Sequence, residues 1–233
     1  MLKIYFCAFK KKCYLEEAKI SIKSLQTNGQ FNGPIYLFTD MDVILDNVEI
    51  FKVDCESIPL SASFRTQIFE YIKDYDSNDI FLYLDTDIVI VKPLPSFNYI
   101  DNKIQVYGYN TRNQSGSSFS GHITNDPHFV LQPAICSGIL LFRPSLKVKN
   151  VFDETYELYK KLLRRNKVNG CWEQPALCYK MIEHTMCNMS LNDYVIEQRG
   201  GEHSIKNKKD TYIFNHFCGL RSSTRFNEME KYL

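Results

Sequence analysis

Two carboxylates stand inside an apolar run near the middle of the chain. Asp85 and Asp87 are separated by Thr86, and apolar residues fill positions 80–84 before them and 88–91 after them. In an extended segment, residues two apart project to the same side, so both carboxylates are predicted to face one ligand. Burying two like charges is costly without a cation between them, and oxygen ligands of this kind suit Mg²⁺ or Mn²⁺. The pair therefore predicts a divalent-metal site.

The pair also indicates the kind of substrate. Proteins often hold Mg²⁺ or Mn²⁺ with one or two carboxylates and the phosphate oxygens of a substrate, so we expect a phosphorylated substrate. In open α/β sheets such ligands bind beyond the carboxyl ends of the strands. The alternative is a turn in which the acids accept backbone hydrogen bonds, but the β-branched run 88–91 is a poor turn sequence.

The elements that must position this pair alternate between strand and helix patterns. Short apolar runs predict strands at 3–9, 34–38, 48–53, 80–84, 139–142 and 212–214. Apolar residues at helical spacing predict helices over 15–25, around 64–72, over 151–163 and from near Trp172. The alternation predicts an α/β fold with a mostly parallel central sheet flanked by helices. The polar segments 110–128 and 200–210 are candidates for acceptor recognition or a closing lid.

Composition narrows the class of protein. The chain has 233 residues, 44% hydrophobic and 24% charged, which predicts one domain of ordinary globular composition. A net charge of +1 provides no strong field, so we expect no nucleic-acid partner. No apolar stretch reaches the roughly 18 residues of a membrane span, so we expect no integral membrane segment.

The cysteines indicate a compartment. The sequence has eight cysteines and none forms a C-x-x-C pair, which argues against a zinc ribbon and favours free thiols. The apolar run at the start is too short for a signal peptide. We therefore expect a reducing, cytoplasmic location, which is the host cytoplasm if the source is a virus. A homodimer is left open.

Taken in order, these segments resemble the GT-A glycosyltransferases, most closely the glycogenin-like and LgtC-like group, glycosyltransferase family 8. Residues 83–87 resemble the Asp-x-Asp metal motif of that family. The resemblance implies a single GT-A (Rossmann-like) domain over residues 1–233. Within it, about residues 1–100 would form the nucleotide-binding half and about residues 101–233 the acceptor-binding half.

The resemblance also assigns donor contacts. The opening strand and the helix after it resemble the nucleotide-binding start of the family, which places Ala8 at the donor and Tyr14 against the base. Arg65 resembles a basic residue that helps to hold the donor, and a guanidinium can form paired hydrogen bonds to phosphate. The donor-binding residues that the resemblance implies are Ala8, Tyr14, Arg65, Asp85, Thr86, Asp87, Cys136, Ser137, Gly138, Gly219 and Arg221.

Residues 136–138 resemble the Asn-Ser-Gly segment that lines the sugar site of the family. Cys136 replaces the asparagine, which puts a contact to a donor hydroxyl in doubt because a thiol is a weak hydrogen-bonding group. Gly138 fits a position where the backbone must approach a ligand. The alternative is the start of a buried strand.

Residues 172–177 resemble the Asp-Gln-x-x-Leu segment of the family, with Glu173 in the place of the acid. The resemblance implies catalytic roles for Glu173 and Gln174 near the anomeric carbon. There the acid would orient the acceptor or stabilise developing positive charge. The alternative is an acid at a helix N-terminus, where it is favoured in any protein.

Residues 215–219 resemble the C-terminal His-x-x-Gly motif of the family. The resemblance implies that His216 is the third metal ligand, and imidazole suits Mn²⁺ better than Mg²⁺. The family usually has a lysine three residues after the glycine, where this chain has Ser222, with Arg221 before it and Arg225 after it. The basic residue that contacts the diphosphate is therefore not fixed by the sequence.

We predict a metal-dependent glycosyltransferase that moves a sugar from a nucleotide-sugar donor, a UDP-hexose, to a glycan, protein or lipid acceptor. The cofactor would be Mn²⁺ or Mg²⁺, and the resemblance implies retention of the anomeric configuration. One alternative is a nucleotidyltransferase acting on a sugar phosphate, although residues 7–13 lack the usual Gly-rich phosphate loop. A second is a non-catalytic nucleotide-sugar-binding relative, which the substitution at Cys136 favours.

Overall fold

The structure is a computed structural model. It describes residues 1–112, 121, 123–165, 172–199, 202–203, 211–218, 220 and 222–233. Within these residues, no helix has both the length and the apolar character that crossing a lipid bilayer requires.

The described residues form strands and helices that alternate along the first part of the chain. The strands are β1 (Leu2–Ala8), β2 (Ile35–Thr39), β3 (Glu49–Lys52), β4 (Ile80–Leu84), β5 (Ile88–Ile90), β6 (Ile104–Arg112), β7 (Pro133–Phe142), β8 (Cys187–Asn188), β9 (Val195–Arg199), β10 (Glu202–His203) and β11 (Phe214–His216). The α-helices are α1 (Lys12–Thr27), α2 (Ile58–Ser61), α3 (Ile68–Tyr71), α4 (Pro127–Val130), α5 (Leu146–Arg164), α6 (Gln174–Glu183) and α7 (Ser222–Glu230). Short 3₁₀ helices cover Ala62–Thr66 and Ser190–Asp193.

A seven-stranded sheet with the order β3-β2-β1-β4-β7-β6-β8 forms the centre of the fold. The pairs β3–β2, β2–β1, β1–β4 and β6–β8 are parallel, whereas β4–β7 and β7–β6 are antiparallel. A four-stranded sheet with the order β10-β9-β11-β5 lies beside it. The predicted α/β fold with a mostly parallel central sheet flanked by helices is therefore confirmed.

The central sheet is buried on both faces. Successive side chains of β4 enter different cores, so Phe81 packs with α5 and α6 while Leu82 packs with α1. Alternation of this kind follows from the two-residue period of a strand, and burial of both faces explains why β4 is apolar throughout. The antiparallel pairing of β4 with β7 sets Leu84 opposite Ile139. It therefore places the residue after β4 beside Gly138.

The helix predicted around residues 64–72 is wrong in detail. The segment is divided into α2, the 3₁₀ helix Ala62–Thr66 and α3. The hydroxyls of Ser61, Ser63 and Thr66 each donate to the carbonyl oxygen three residues earlier. Such side chains compete with the backbone ladder of an α-helix, which explains why the segment turns more tightly than predicted.

Further boundaries differ from prediction, since β7 begins at Pro133 rather than at residue 139 and α5 begins at Leu146 rather than at residue 151. The last strand covers Phe214–His216 rather than residues 212–214, so His216 belongs to the strand. The segment 110–128 begins inside β6, which continues to Arg112. Residues 113–120, 122 and 204–210 lie outside the described residues, so the proposed acceptor and lid segments stay predictions.

Candidate active site

The extended arrangement predicted for the two carboxylates is wrong. The Ile88 N–H donates to the Asp85 carbonyl oxygen at 3.3 Å, which closes a turn between β4 and β5. The turn forms because β4 belongs to the central sheet and β5 to the small sheet, so the chain must change direction between them. In the small sheet, β5 pairs with β11 and sets Ile88 opposite His216. The turn therefore carries the acids to the histidine.

Asp85, Asp87 and His216 form one group of possible metal ligands. One ligand atom from each lies within 4.8 Å of the others. His216 Nε2 is 3.2 Å from Asp87 Oδ1, and the Tyr107 hydroxyl hydrogen-bonds to Nδ1. The hydrogen bond on Nδ1 therefore leaves Nε2 as the atom that faces the carboxylates. This division of the two ring nitrogens is typical of metal-binding histidines.

Gly138 leaves the space between these ligands open. A Cβ atom at this position would lie 2.8 Å from His216 Cε1 and 2.9 Å from Asp85 Oδ2, distances that real Cβ atoms essentially never show. The glycine, the two carboxylates and the imidazole therefore fit a cation. Two carboxylates and an imidazole suit Mn²⁺ better than Mg²⁺ as metal ligands, because Mg²⁺ prefers oxygen ligands.

The charges around the turn also favour a cation. Four carboxylates lie near two guanidinium groups and the imidazole of His216, which leaves one negative charge when all are ionised and two when the imidazole is neutral, as a metal ligand is; these groups are Glu17, Asp85, Asp87, Glu173, Arg65, Arg225 and His216. Burial would lower the pKa of His216, but Asp87 raises it well above its ordinary value. Burial would raise the pKa of Asp87, but His216 and Arg225 lower it to about 2. A divalent cation would balance the remaining charge.

Arg65 is at the centre of a buried network. Its Nη1 lies 3.0 Å from Asp85 Oδ1 and donates to the Ser137 carbonyl oxygen at 2.7 Å. Its Nε lies 3.0 Å from Glu173 Oε1, and its guanidinium carbon lies 4.8 Å from the ring centre of Tyr83. Burial opposes the charge, but Asp85 and Glu173 raise the pKa of Arg65 well above its ordinary value. Arg65 therefore fixes Asp85 relative to β7.

Glu173 and Gln174, the predicted catalytic residues, lie behind the cavity wall. Glu173 is 1% exposed, and among the described residues its Oε1 accepts no hydrogen bond because the nearby Arg65 Nε–H points to the Ala62 carbonyl oxygen. Burial raises the pKa of Glu173, and Arg65 opposes this rise. Gln174 Oε1 accepts the Ser137 N–H at 3.1 Å. In this arrangement both residues hold other site residues, and their catalytic roles stay predictions.

Arg225 forms a second ion-pair network on the opposite side of the turn. Its Nη1 lies 2.8 Å from Asp87 Oδ2, and its Nη2 lies 2.8 Å from Glu17 Oε1. Thr86 donates to Glu17 Oε2 at 3.3 Å. Burial raises the pKa of Glu17, and Arg225 opposes this rise. Arg225 is therefore a basic residue near the C-terminal motif that reaches the turn between β4 and β5, residues 85–87, which we call the metal turn.

A cavity of about 200 Å³ opens beside the turn. Its wall contains five of the predicted donor residues, namely Tyr14, Arg65, Asp85, Thr86 and Asp87. It also contains Phe9, Trp172 and Arg225. A wider groove of about 680 Å³ lies across α2 and includes Phe64 and Tyr156, but none of the predicted site residues.

The remaining predicted donor residues are placed as follows. Ala8 is fully buried, and its neighbours Cys7 and Phe9 line the cavity instead. Ser137 accepts hydrogen bonds from Arg65 through its carbonyl oxygen and hydroxyl. Gly219 and Arg221 lie outside the described residues.

Cys136 is buried beside His216 rather than at the cavity wall. Cys136, Glu197 and His216 form a second group of possible ligand atoms within 4.8 Å of one another. Glu197 Oε1 also accepts hydrogen bonds from Cys218 Sγ at 2.8 Å and from Tyr107 at 3.4 Å. The substitution at Cys136 therefore coincides with a packed set of polar groups behind the histidine.

Sequence reasoning missed Glu17 and Tyr107. Glu17 lies three residues after Tyr14 on α1, so the two share a helix face, and this spacing could have predicted its position at the site. Tyr107 follows a buried strand pattern, and no local signal distinguishes it from a core tyrosine. Trp172 entered the prediction only as the start of a helix and as the first residue of the segment 172–177, with no role of its own.

The fold of this chain has counterparts among solved structures. In solved structures, the galactosyltransferase LgtC in complex with donor and acceptor sugar analogs is similar, with a TM-score of 0.63 and 16% identity over 100% of this chain and 96% of that one. An active-site mutant of LgtC gives a TM-score of 0.64 and 15% identity over 99% and 95% of the two chains. No family model and no curated protein matches the sequence. At this identity the comparison shows that the chain has the GT-A fold of LgtC.

Proposed function

We propose that this protein is a metal-dependent glycosyltransferase that moves a hexose from a UDP-sugar donor to a glycan, protein or lipid acceptor. The observation that carries the proposal is the convergence of Asp85, Asp87 and His216 beside a cavity, with Gly138 leaving space between them. The surplus negative charge fits a divalent cation, and such a cation is commonly shared between one or two carboxylates and the phosphate oxygens of a substrate.

The residues of the chain would divide the work of the reaction. Asp85, Asp87 and His216 would hold Mn²⁺ or Mg²⁺, which supplies positive charge for the diphosphate as the glycosidic bond breaks. Arg65 would keep Asp85 in place and add positive charge to the cavity wall, where the leaving group gains negative charge. Tyr14 would lie against the base of the nucleotide.

Retention of the anomeric configuration is part of the proposal and is supported by the resemblance to glycosyltransferase family 8. Glu173 and Gln174 are proposed to act at the sugar end of the site, beside Ser137, whose N–H donates to Gln174. We further propose one GT-A domain over residues 1–233, with a nucleotide-binding half of about residues 1–100 and an acceptor-binding half of about residues 101–233.

The direct test is donor hydrolysis. Purified protein is incubated with UDP- and GDP-sugars, with Mn²⁺ or with EDTA, and the released nucleoside diphosphate is measured. We expect cleavage of one donor with Mn²⁺ only, and a loss of at least 100-fold in Asp87→Ala, because one metal ligand is removed. Asp42→Ala is the matched control, since Asp42 is exposed and contacts Lys52. Equal hydrolysis with EDTA and with Mn²⁺ would contradict the proposal.

A parallel reaction separates the alternatives. A glycosyltransferase releases a nucleoside diphosphate from a UDP- or GDP-sugar, whereas a nucleotidyltransferase would release pyrophosphate only when it is supplied with a nucleoside triphosphate and a sugar 1-phosphate. A non-catalytic relative would bind the donor with Mn²⁺, measured by calorimetry, and release neither product over hours.

A further inference from the structure

Trp172 presents an aromatic surface in the wall of the candidate active site. It is the single tryptophan of the sequence, it lines the cavity and its side chain is partly exposed. An indole in a cavity wall offers a flat apolar face on which a bound ring can stack. The exposed indole stands next to Glu173, which is buried, so adjacent residues point in opposite directions.

The backbone at Trp172 is strained. Its φ angle is +51°, in the left-handed region that residues with bulky side chains rarely adopt. Strain of this kind persists only where the surrounding structure fixes it, and it is concentrated at functional sites. Here the two following residues are fixed, Glu173 beside Arg65 and Gln174 on the Ser137 N–H. These anchors turn the indole toward the cavity.

The position of the indole indicates which substrate it meets. Asp85 and Glu173 contact different nitrogens of the Arg65 guanidinium, so Arg65 lies between the metal turn and the segment that carries Trp172. The diphosphate of the donor is assigned to the metal turn. Trp172 and the metal turn line the same cavity, so a molecule that stacks on the indole would lie beside a donor held at the turn.

We infer that Trp172 forms an acceptor subsite that stacks on a sugar ring, so that the acceptor is a glycan rather than a protein or lipid hydroxyl. This inference rests on the proposed function. A pyranose presents a flat face of C–H groups, which matches the face of an indole, while its hydroxyls remain free for polar neighbours. A serine or glycerol hydroxyl offers no such face.

The first test uses the single tryptophan as a reporter. Emission of Trp172 is titrated with methyl β-glucoside, methyl β-galactoside and methyl α-mannoside, in the presence of Mn²⁺ and UDP. We expect a saturable change in emission with at least one glycoside and none with N-acetylserine amide or glycerol. A change produced by the UDP-sugar donor but by no glycoside would overturn the inference.

The second test uses substitution. Trp172→Gly removes the indole and suits the left-handed backbone, so we expect an unchanged or higher melting temperature with a KM for the glycoside acceptor raised at least tenfold. Trp172→Phe keeps a stacking ring and should retain most of the affinity. Tyr99→Ala is the matched control, because Tyr99 is an exposed aromatic residue outside the cavity wall. A larger effect of Trp172→Gly on the donor KM than on the acceptor KM would contradict the acceptor subsite.

The experiments distinguish a failure of the acceptor subsite from a failure of the proposed glycosyltransferase reaction. If no donor is hydrolysed but the glycosides change Trp172 emission, the sugar subsite stands and the proposed reaction fails. If a donor is hydrolysed with Mn²⁺ while no glycoside changes the emission or accepts the sugar, the subsite fails and the proposed reaction stands.

Discussion

Gly138 is packed so closely against His216 that a Cβ atom at residue 138 would lie 2.8 Å from the imidazole Cε1. The two residues belong to different sheets, since Gly138 is in β7 and His216 is in β11. The absence of a side chain at one position therefore determines whether the histidine can face the Asp pair.

This contact predicts the effect of Gly138→Ala. The added methyl group would displace His216 or Asp85, so we expect Mn²⁺ affinity, measured by calorimetry, to fall at least tenfold and donor hydrolysis to fall about 100-fold. Gly33→Ala is the control, because its Cβ would meet Phe31 Cζ and the Leu2 carbonyl oxygen, and neither residue lines the cavity. Wild-type Mn²⁺ affinity in Gly138→Ala would show that the glycine does not shape the metal site.

Arg65→Lys tests the network that fixes Asp85. Lysine keeps the charge but has no planar fork, so it cannot contact Asp85, Ser137 and Glu173 together. We expect the free energy of unfolding, measured in urea, to fall by about 3 kcal/mol, because a carboxylate is left buried without its partner. Donor hydrolysis should fall about 100-fold.

The control for this change is Arg143→Lys, since Arg143 donates to backbone carbonyl oxygens at the surface. Activity within threefold of wild type in Arg65→Lys would show that a point charge is sufficient at this position.

Arg225→Met tests the ion pair between Arg225 on α7 and Glu17 on α1. The change leaves Glu17 buried without a cation, so we expect a loss of about 3 kcal/mol in the free energy of unfolding at pH 8. Burial already raises the pKa of Glu17, and losing Arg225 raises it further. An acid with a raised folded pKa destabilises the fold as pH increases above its unfolded pKa, so the loss should be smaller at pH 5.

The double variant with Glu17→Gln provides the control for Arg225→Met. Removing the unpaired carboxylate should recover most of the lost stability and its pH dependence. A loss of equal size in the single and double variants would show that the cost does not come from Glu17, and would assign it to the Asp87 pair or to packing.

Asp79 should contribute to acid stability far from the site. Burial would raise its pKa, but Lys3 at 2.9 Å and the Met1 amino group lower it to about 2. A lowered folded pKa stabilises the fold above the unfolded value, and this contribution is lost as pH falls toward 2. Asp79→Asn should therefore cost about 2 kcal/mol in urea unfolding at pH 7 and little at pH 2.5. A cost that does not change with pH would exclude the ion pair as its cause.

Several of the buried strands could be predicted because each carries a local pattern, whereas β6 and the order of the strands in the sheet were not predicted. β4 is apolar on both faces, and α1 repeats its apolar residues every three or four positions, so both were placed within a few residues. The division of residues 58–71 into short helices was missed, because it depends on serine hydroxyls that bond three residues back.

The sequence predicted most of the residues that form the site, but it did not predict how they are arranged. The resemblance supplied His216 beside the Asp pair, yet the turn that unites them arises from β5 leaving the central sheet, which no local pattern shows. The contact between Glu17 and Arg225 joins residues 208 positions apart. Such pairs depend on tertiary packing, so spacing along the chain gives no signal for them.

The turn between β4 and β5 also has a consequence for local unfolding. β4 is held in the central sheet and β5 in the small one, while His216 lies on β11 of the small sheet. A cation held by Asp85, Asp87 and His216 would act as a reversible cross-link between the two sheets. Ligands that bind only the closed form suppress opening by mass action. The ion concentration would therefore set how often the amide hydrogens of β5 and β11 exchange with water.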